Sequence, residues 1–173
     1  MIGFPVGLLI SNATEWLVHK YVLHGLGRSK KSYWAFHWHE HHKQSRQNSF
    51  YDSDYERSAL GWHAQGKELY GLVGVSLAIV PMLPVAPFFC AGVWTSSYLY
   101  YRLHKKAHLD PDWARDRLPW HYDHHMGPNQ DANWCVTHPL FDYIMGTREV
   151  YAGTQREERD RERAERLREK RAA

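Results

Sequence analysis

The sequence predicts an all-α integral membrane protein, with an N-terminal membrane helix and a helical hairpin supporting a histidine-rich helical cap on the cytoplasmic side. Three observations lead there. Residues 69–101 form a run of 33 without a single charge, and residues 2–18 carry only Glu15. All 22 Lys and Arg residues lie outside these two stretches, at Lys20, within 25–68 and within 102–173. The aromatic set is 8 Trp and 11 Tyr against 6 Phe, the amphipathic excess expected where rings sit at a membrane–water boundary.

The elements follow in chain order. Residues 2–18 are slightly short of the roughly 20 residues of a spanning helix. They have no basic region before them, so they read as a membrane helix and not as a signal peptide. The uncharged run would be ~50 Å long as one helix, well beyond a ~30 Å hydrocarbon core. Pro81, Pro84 and Pro87 break it, which predicts one arm over 69–80, a turn, and a return over 88–101. Both ends of a hairpin lie on one side, and the basic residues place that side in the cytoplasm. Asp110-Pro111 and Gly127-Pro128-Asn129 are turn signals. Residues 156–171 hold eight basic and six acidic residues with interleaved signs, as in a solvated helix. The chain therefore divides into a domain over 1–152 and a charged tail over 153–173.

Composition narrows the chemistry. A net charge of +3 does not mark a nucleic-acid binder. Two cysteines, Cys90 and Cys135, allow neither a disulfide framework nor a CxxC zinc site. Any metal chemistry must therefore run on histidine, and since no Walker, Rossmann, serine-nucleophile or haem-attachment motif is present, the metal must carry the hard chemistry.

Thirteen histidines are present, and most fall into four clusters: HKYVLH with His19 and His24, HWHEHH with His37, His39, His41 and His42, HKKAH with His104 and His108, and HYDHH with His121, His124 and His125. At about 100° per residue, positions i and i+4 share a helix face. That pairs His37 with His41, His104 with His108, and His121 with His125, with His124 in the same sector and His42 able to join a neighbouring site. His39 lies roughly opposite His37 and is set aside. His19 and His24 are five apart, about 140° on an α-helix, so they flank a site or serve two metals. Neutral imidazole is a ligand for Fe, Zn, Cu and Ni, whereas buried bare imidazoles each lack a partner. Ten clustered imidazoles suffice for two ions at about five each, with positions left for oxygen. His63 and His138 stand alone.

These boxes, followed by NWCVTHPLFDYIMGT, resemble the fatty acid hydroxylase / sterol desaturase superfamily, whose ending runs Asn-aromatic-x-Val-Thr and then Asp and Gly-Thr. The similarity spans roughly residues 15–147. Carotenoid hydroxylases share the boxes HKYxxHG and HxxHH. The resemblance implies that His19, His24, His37, His41, His42, His104, His108, His121, His124 and His125 hold a two-metal centre, di-iron and oxygen-dependent, with zinc able to occupy it in purified protein. It leaves open whether His37 or His39 serves in the second box.

Residues that orient ligand rings are expected around them. Glu15 lies one turn before His19, and Asp123, Asp131, Asn133 and Asp142 are further candidates, with His138 a possible lid or supporting residue. The expected function is O2-dependent hydroxylation of a lipid C–H bond, with a fatty-acyl chain from the bilayer as first substrate and a carotenoid or sterol as the alternative. Electrons must come from a separate protein, for which the basic face suits an acidic carrier such as a ferredoxin or a cytochrome b5-like domain. The rivals of another class are a membrane metal-binding protein without catalysis and a scaffold with a structural zinc pair.

Overall fold

A computed structural model describes residues 2–172; Met1 and Ala173, which bound the two segments expected from the sequence, lie outside the described residues. The fold is helical, and no strand occurs among the described residues. Helix α1 (Gly3–Leu17) continues without a break into a π-helical segment, Val18–Gly25. A second π-helical segment, His37–His42, leads into α2 (Lys43–Gln47). Helices α3 (Ala64–Ala78) and α4 (Pro87–Leu109) form a hairpin whose turn contains Pro81 and Pro84. Then come α5 (Pro111–Arg117), α6 (Pro119–Met126), α7 (Leu140–Ile144) and the charged α8 (Gln155–Ala172).

Proline sets three of the helix starts. Pro87, Pro111 and Pro119 each open a helix, where the missing N–H costs nothing. The Asp110 carboxylate caps α5 by accepting from the Trp113 backbone N–H at 3.2 Å. Helices α1 and α4 run parallel and nearly touch: Gly3 faces Phe88 and Phe89, and Gly7 faces Gly92 and Val93. A Cβ at Gly92 would lie 2.3 Å from the Phe4 carbonyl oxygen, so only glycine permits this approach. The shared direction carries His19, just past α1, and His104, late in α4, to one end of the molecule.

That end is packed by two small cores. Phe50, Ala107, Ala114, Leu118, Tyr122 and Tyr151 form one, and Trp16, Trp134 and Cys135 the other. The first turn of α8 is tied down, because buried Glu157 accepts from Arg115 Nε and Nη2 at 2.7 and 2.9 Å.

The membrane-spanning architecture expected from the sequence is overturned. Among the described residues, no helix is long and apolar enough to cross a membrane. Helices α1 and α3 have 15 residues each, against the roughly 20 a span needs. Helix α4 has 23, but its last third carries Arg102, His104, Lys105, Lys106 and His108. The assignment of the histidine site to the cytoplasmic face of a membrane rested on those spans and falls with them.

Candidate metal centre

Ten of the eleven histidines in the four clusters, all but His39, are buried, none more than 3% exposed, and they meet at the end of the molecule that holds His19 and His104. They form two adjoining groups. In the first, one ring nitrogen each of His19, His24, His37, His42 and His124 lies within 4.8 Å of all the others; in the second, the same holds for His41, His104, His108 and His125. His121 adjoins the second group, its Nε2 3.1 Å from that of His108.

The π-helical segments account for the first grouping. A π-helix closes i→i+5 bonds and so brings residues five apart onto one face. Both His19/His24 and His37/His42 have that spacing, and both pairs point into the first site. This corrects the α-helical reading on two points. His19 and His24 share a site, and His37 pairs with His42 while His41 turns into the second group. Consecutive residues are thus divided between sites twice, His41/His42 from one element and His124/His125 from α6. The His42 and His125 rings stack across the junction with centroids 4.2 Å apart.

Hydrogen bonding fixes the tautomers. His19 Nδ1 donates to the Trp134 carbonyl at 2.6 Å, His124 Nδ1 to the Ala132 carbonyl at 2.6 Å, and His108 Nδ1 to the Phe50 carbonyl at 2.9 Å. His42 Nδ1 donates to Gln130 Oε1 at 3.0 Å. Burial holds these imidazoles neutral, pushing His19 down to about 3 and His42, His108 and His124 well below the usual histidine range. A neutral ring that donates from Nδ1 presents a lone pair at Nε2. His42 and His124 therefore point two lone pairs at each other across 3.1 Å, with no proton between them. Five such Nε2···Nε2 separations in the first site run from 2.9 to 3.2 Å. Ligands ~2.1 Å from a common ion and at right angles are about 3.0 Å apart, so these spacings are the edges of a coordination shell. In the second site Nε2 of His41, His104 and His125 has no hydrogen-bond partner although fully buried. Buried imidazole nitrogens without partners are costly unless a cation occupies the space they face. The donor set fits metal ions at both groups.

The supporting residues differ from those expected. Glu15 does not reach His19; its carboxylate, pushed up to about 7 by burial, accepts from the backbone N–H groups of Val136 and Thr137 at 3.1 and 3.0 Å and from the Thr137 hydroxyl. Asn133, at a positive φ of 58°, binds Glu149 and Arg148, and Asp142 accepts from the N–H groups of Trp134 and Cys135 at 2.7 and 2.9 Å. These three residues hold the 132–137 loop, whose carbonyls at Ala132 and Trp134 in turn orient His124 and His19. Asp123 faces away from the site, bonded to the Ala152 N–H and paired with Arg148 at 2.7 Å. Asp131 is half-exposed, grips Arg28, and lies 3.7 Å from His24 Nδ1. His138 is exposed and gives only its carbonyl, to Asn12. His39 Nε2 donates to the Arg28 carbonyl at 3.0 Å, outside both groups; His37 is the box residue that enters.

Sequence reasoning missed the direct partners. Asp52 Oδ2 accepts from His41 Nδ1 at 2.7 Å, and Glu68 Oε2 accepts from His104 Nδ1 at 2.6 Å and from the Tyr55 hydroxyl at 2.6 Å. Gln130 serves His42. Their only signal was position: Glu68 is the last charge before the uncharged run, and Asp52 lies in an Asp-Ser-Asp turn. Aromatic rings close the walls. Trp134 stands edge-on to His19 and His24 and tilted against His124, Trp38 stacks on His42, and Phe50 and Tyr55 both stack on His108.

No protein-family model, curated protein or solved structure matches this chain.

Proposed function

We propose that the protein is a di-iron, O2-dependent hydroxylase of an unactivated C–H bond in a lipid, of the kind the histidine boxes resemble. The observation that carries this reading is the pair of adjoining, buried imidazole groups, in which His42 and His124 turn lone pairs toward each other and Nε2 of His41, His104 and His125 has no partner. His19, His24, His37, His42 and His124 would hold one ion; His41, His104, His108 and His125, with His121 beside them, the other. Iron in such nitrogen ligation supplies the activation of O2 and of the C–H bond when bound. The overall change balances as R–H + O2 + 2 electrons + 2 protons giving R–OH + H2O.

The chain's own residues prepare the site. Desolvation keeps His37, His41, His121 and His125 unprotonated at neutral pH, so no proton competes for their ligating nitrogens. Backbone carbonyls, the Gln130 amide and the Asp52 and Glu68 carboxylates hold His19, His124, His108, His42, His41 and His104 in the tautomer that presents Nε2 inward. Trp134, Trp38, Phe50 and Tyr55 wall the site against water.

A fatty-acyl chain is the favoured substrate and a carotenoid or sterol the alternative. Support comes from the apolar side chains that α1 and the hairpin turn outward, among them Val6, Leu9, Ile10, Val73, Leu77 and Phe88, against which such a molecule can lie. The electron donor is a separate acidic protein. Half-buried Trp38 stacks on His42, with the Arg28 guanidinium 4.9 Å above its ring and exposed Lys30, Lys31 and Lys43 on the neighbouring segments.

The test is turnover under labelled oxygen. Iron-loaded protein, a reductant system and candidate lipids should give product carrying one labelled oxygen atom, and His41→Ala should abolish it. Turnover without O2, or a hydroxyl oxygen drawn from water, would overturn the reading.

A further inference from the structure

We infer that the two histidine groups are unequal metal sites, and that the group of His41, His104, His108 and His125 binds its ion more tightly and fills first. The inference rests on the dimetal reading above and concerns what lies behind the rings. In that second group two ligands are backed by buried carboxylates. Asp52 is 1% exposed at its side chain and accepts from His41 at 2.7 Å; Glu68 is 11% exposed and accepts from His104 at 2.6 Å. A further hydrogen bond holds each carboxylate in place. Asp52 Oδ1 takes the Asp54 backbone N–H at 3.0 Å, and the Tyr55 hydroxyl donates to Glu68 Oε2.

The first group has no such backing. Its rings donate to the carbonyls of Trp134 and Ala132 and to the side chain of Gln130, all neutral. Its nearest carboxylate, Asp131, is 51% exposed, 3.7 Å from His24, and already gripped by Arg28 through both oxygens at 2.6 Å. A divalent ion among neutral imidazoles leaves a buried double charge with little compensation, whereas two buried carboxylates one ring away offset it in the second group. A carboxylate acceptor also raises the basicity of the imidazole it holds, and losing one such partner costs about 10- to 100-fold in metal affinity. Ligand number opposes this only weakly. The first group has five imidazoles against four, and His121, 3.1 Å from His108, stands ready as a fifth in the second.

The experiment is an anaerobic titration of the metal-free full chain with Co(II), followed by absorbance and by metal analysis. Wild type should bind in two steps separated by at least about tenfold. Asp52→Asn and Glu68→Gln should each weaken the tighter step about 10- to 100-fold and leave the weaker one unchanged. Gln130→Ala should move only the weaker step. Two steps of equal affinity, or carboxamide variants that weaken both steps alike, would overturn the inference. Should those variants fail to fold, wild type alone decides. Histidine C2-hydrogen exchange at one equivalent of Co(II), read by mass spectrometry, should protect His41, His104, His108 and His125 ahead of His19, His24, His37 and His124; the reverse order refutes the inequality. Saturation at a single ion would defeat the dimetal reading instead, and the group then protected would still decide this one.

Discussion

The two ends of the molecule are built with opposite polarity. Around the α3–α4 turn, apolar side chains point outward: Val80, Val85 and Phe88 are exposed, as are Val6, Leu9 and Ile10 on α1, and the helices are joined by a glycine contact at Gly7 and Gly92. At the other end ten imidazoles and the carboxylates of Asp52 and Asp142 are buried. A domain stabilised by its own side chains does the reverse, with apolar groups inside and polar groups wet. The buried end is a donor set that could hold metal ions, and the other end leaves apolar side chains uncovered.

The largest effect is expected where one short segment serves both sites. His124 belongs to the first group and His125 to the second. A His124→Ala, His125→Ala double variant should lose both ions, measured by elemental analysis after iron supplementation; retention of two ions would break the account of the buried end.

The next effect falls on the contact that links the ends. Gly92→Leu forces side-chain atoms into the Phe4 backbone and should lower stability by about 1–3 kcal/mol or more, read from the denaturant midpoint. Because α1 leads into His19 and α4 carries His104, metal retention should fall with it. An unchanged midpoint would show that the helices are not in contact.

Acid should act mainly through the buried histidines; Glu15, raised to about 7, opposes them between about pH 7 and 4.5 but is one group against several. The folded chain holds His19 at about 3 against an ordinary value of 6.5, and His41, His108 and His124 are lowered in the same direction. Below about pH 6.5 the unfolded chain therefore binds protons that the folded chain refuses, and stability falls as pH falls. Each such imidazole contributes a slope of up to about 1.4 kcal/mol per pH unit. For His19 the loss runs from about pH 6.5 down to about 3. Above pH 7 these residues add no slope. Denaturant midpoints of the metal-loaded protein at pH 8, 7, 6 and 5 check this, and a flat profile between 7 and 5 contradicts it.

The smallest effect on stability is expected at the outward apolar face. Val73→Ser, Val75→Ser and Leu77→Ser replace exposed side chains and should each change stability by no more than about 0.5 kcal/mol. Combined, they should reduce the detergent bound per chain in sedimentation. Unchanged detergent binding together with a large loss of stability would mean that this face is internal.

Much of this was legible in the sequence, and the errors have physical causes. The ten site histidines could be picked out because their clustering leaves few other uses for them, and the reversal between α3 and α4 because Pro81, Pro84 and Pro87 cannot continue a helix. The spans were misread because uncharged is not the same as apolar. Residues 69–101 include Ser76, Thr95, Ser96, Ser97, Tyr70, Tyr98, Tyr100 and Tyr101, which dilute hydropathy without adding charge. The pairing of ligands was misread because an α-helical period was applied to residues in π-helices. The repeated i,i+5 spacing at 19/24 and 37/42 was the available clue. Asp52 and Glu68 were invisible because their role depends on tertiary neighbours 11 and 36 residues away.

The ten buried histidines form two adjoining groups whose geometry fits metal ions. X-ray absorption combined with elemental analysis of anaerobically purified, iron-supplemented protein tests their occupancy most directly. Two iron ions per chain in a first shell dominated by nitrogen at ~2.1 Å is the predicted result. Less than one ion per chain, or a shell dominated by sulfur or by carboxylate oxygen, would contradict it.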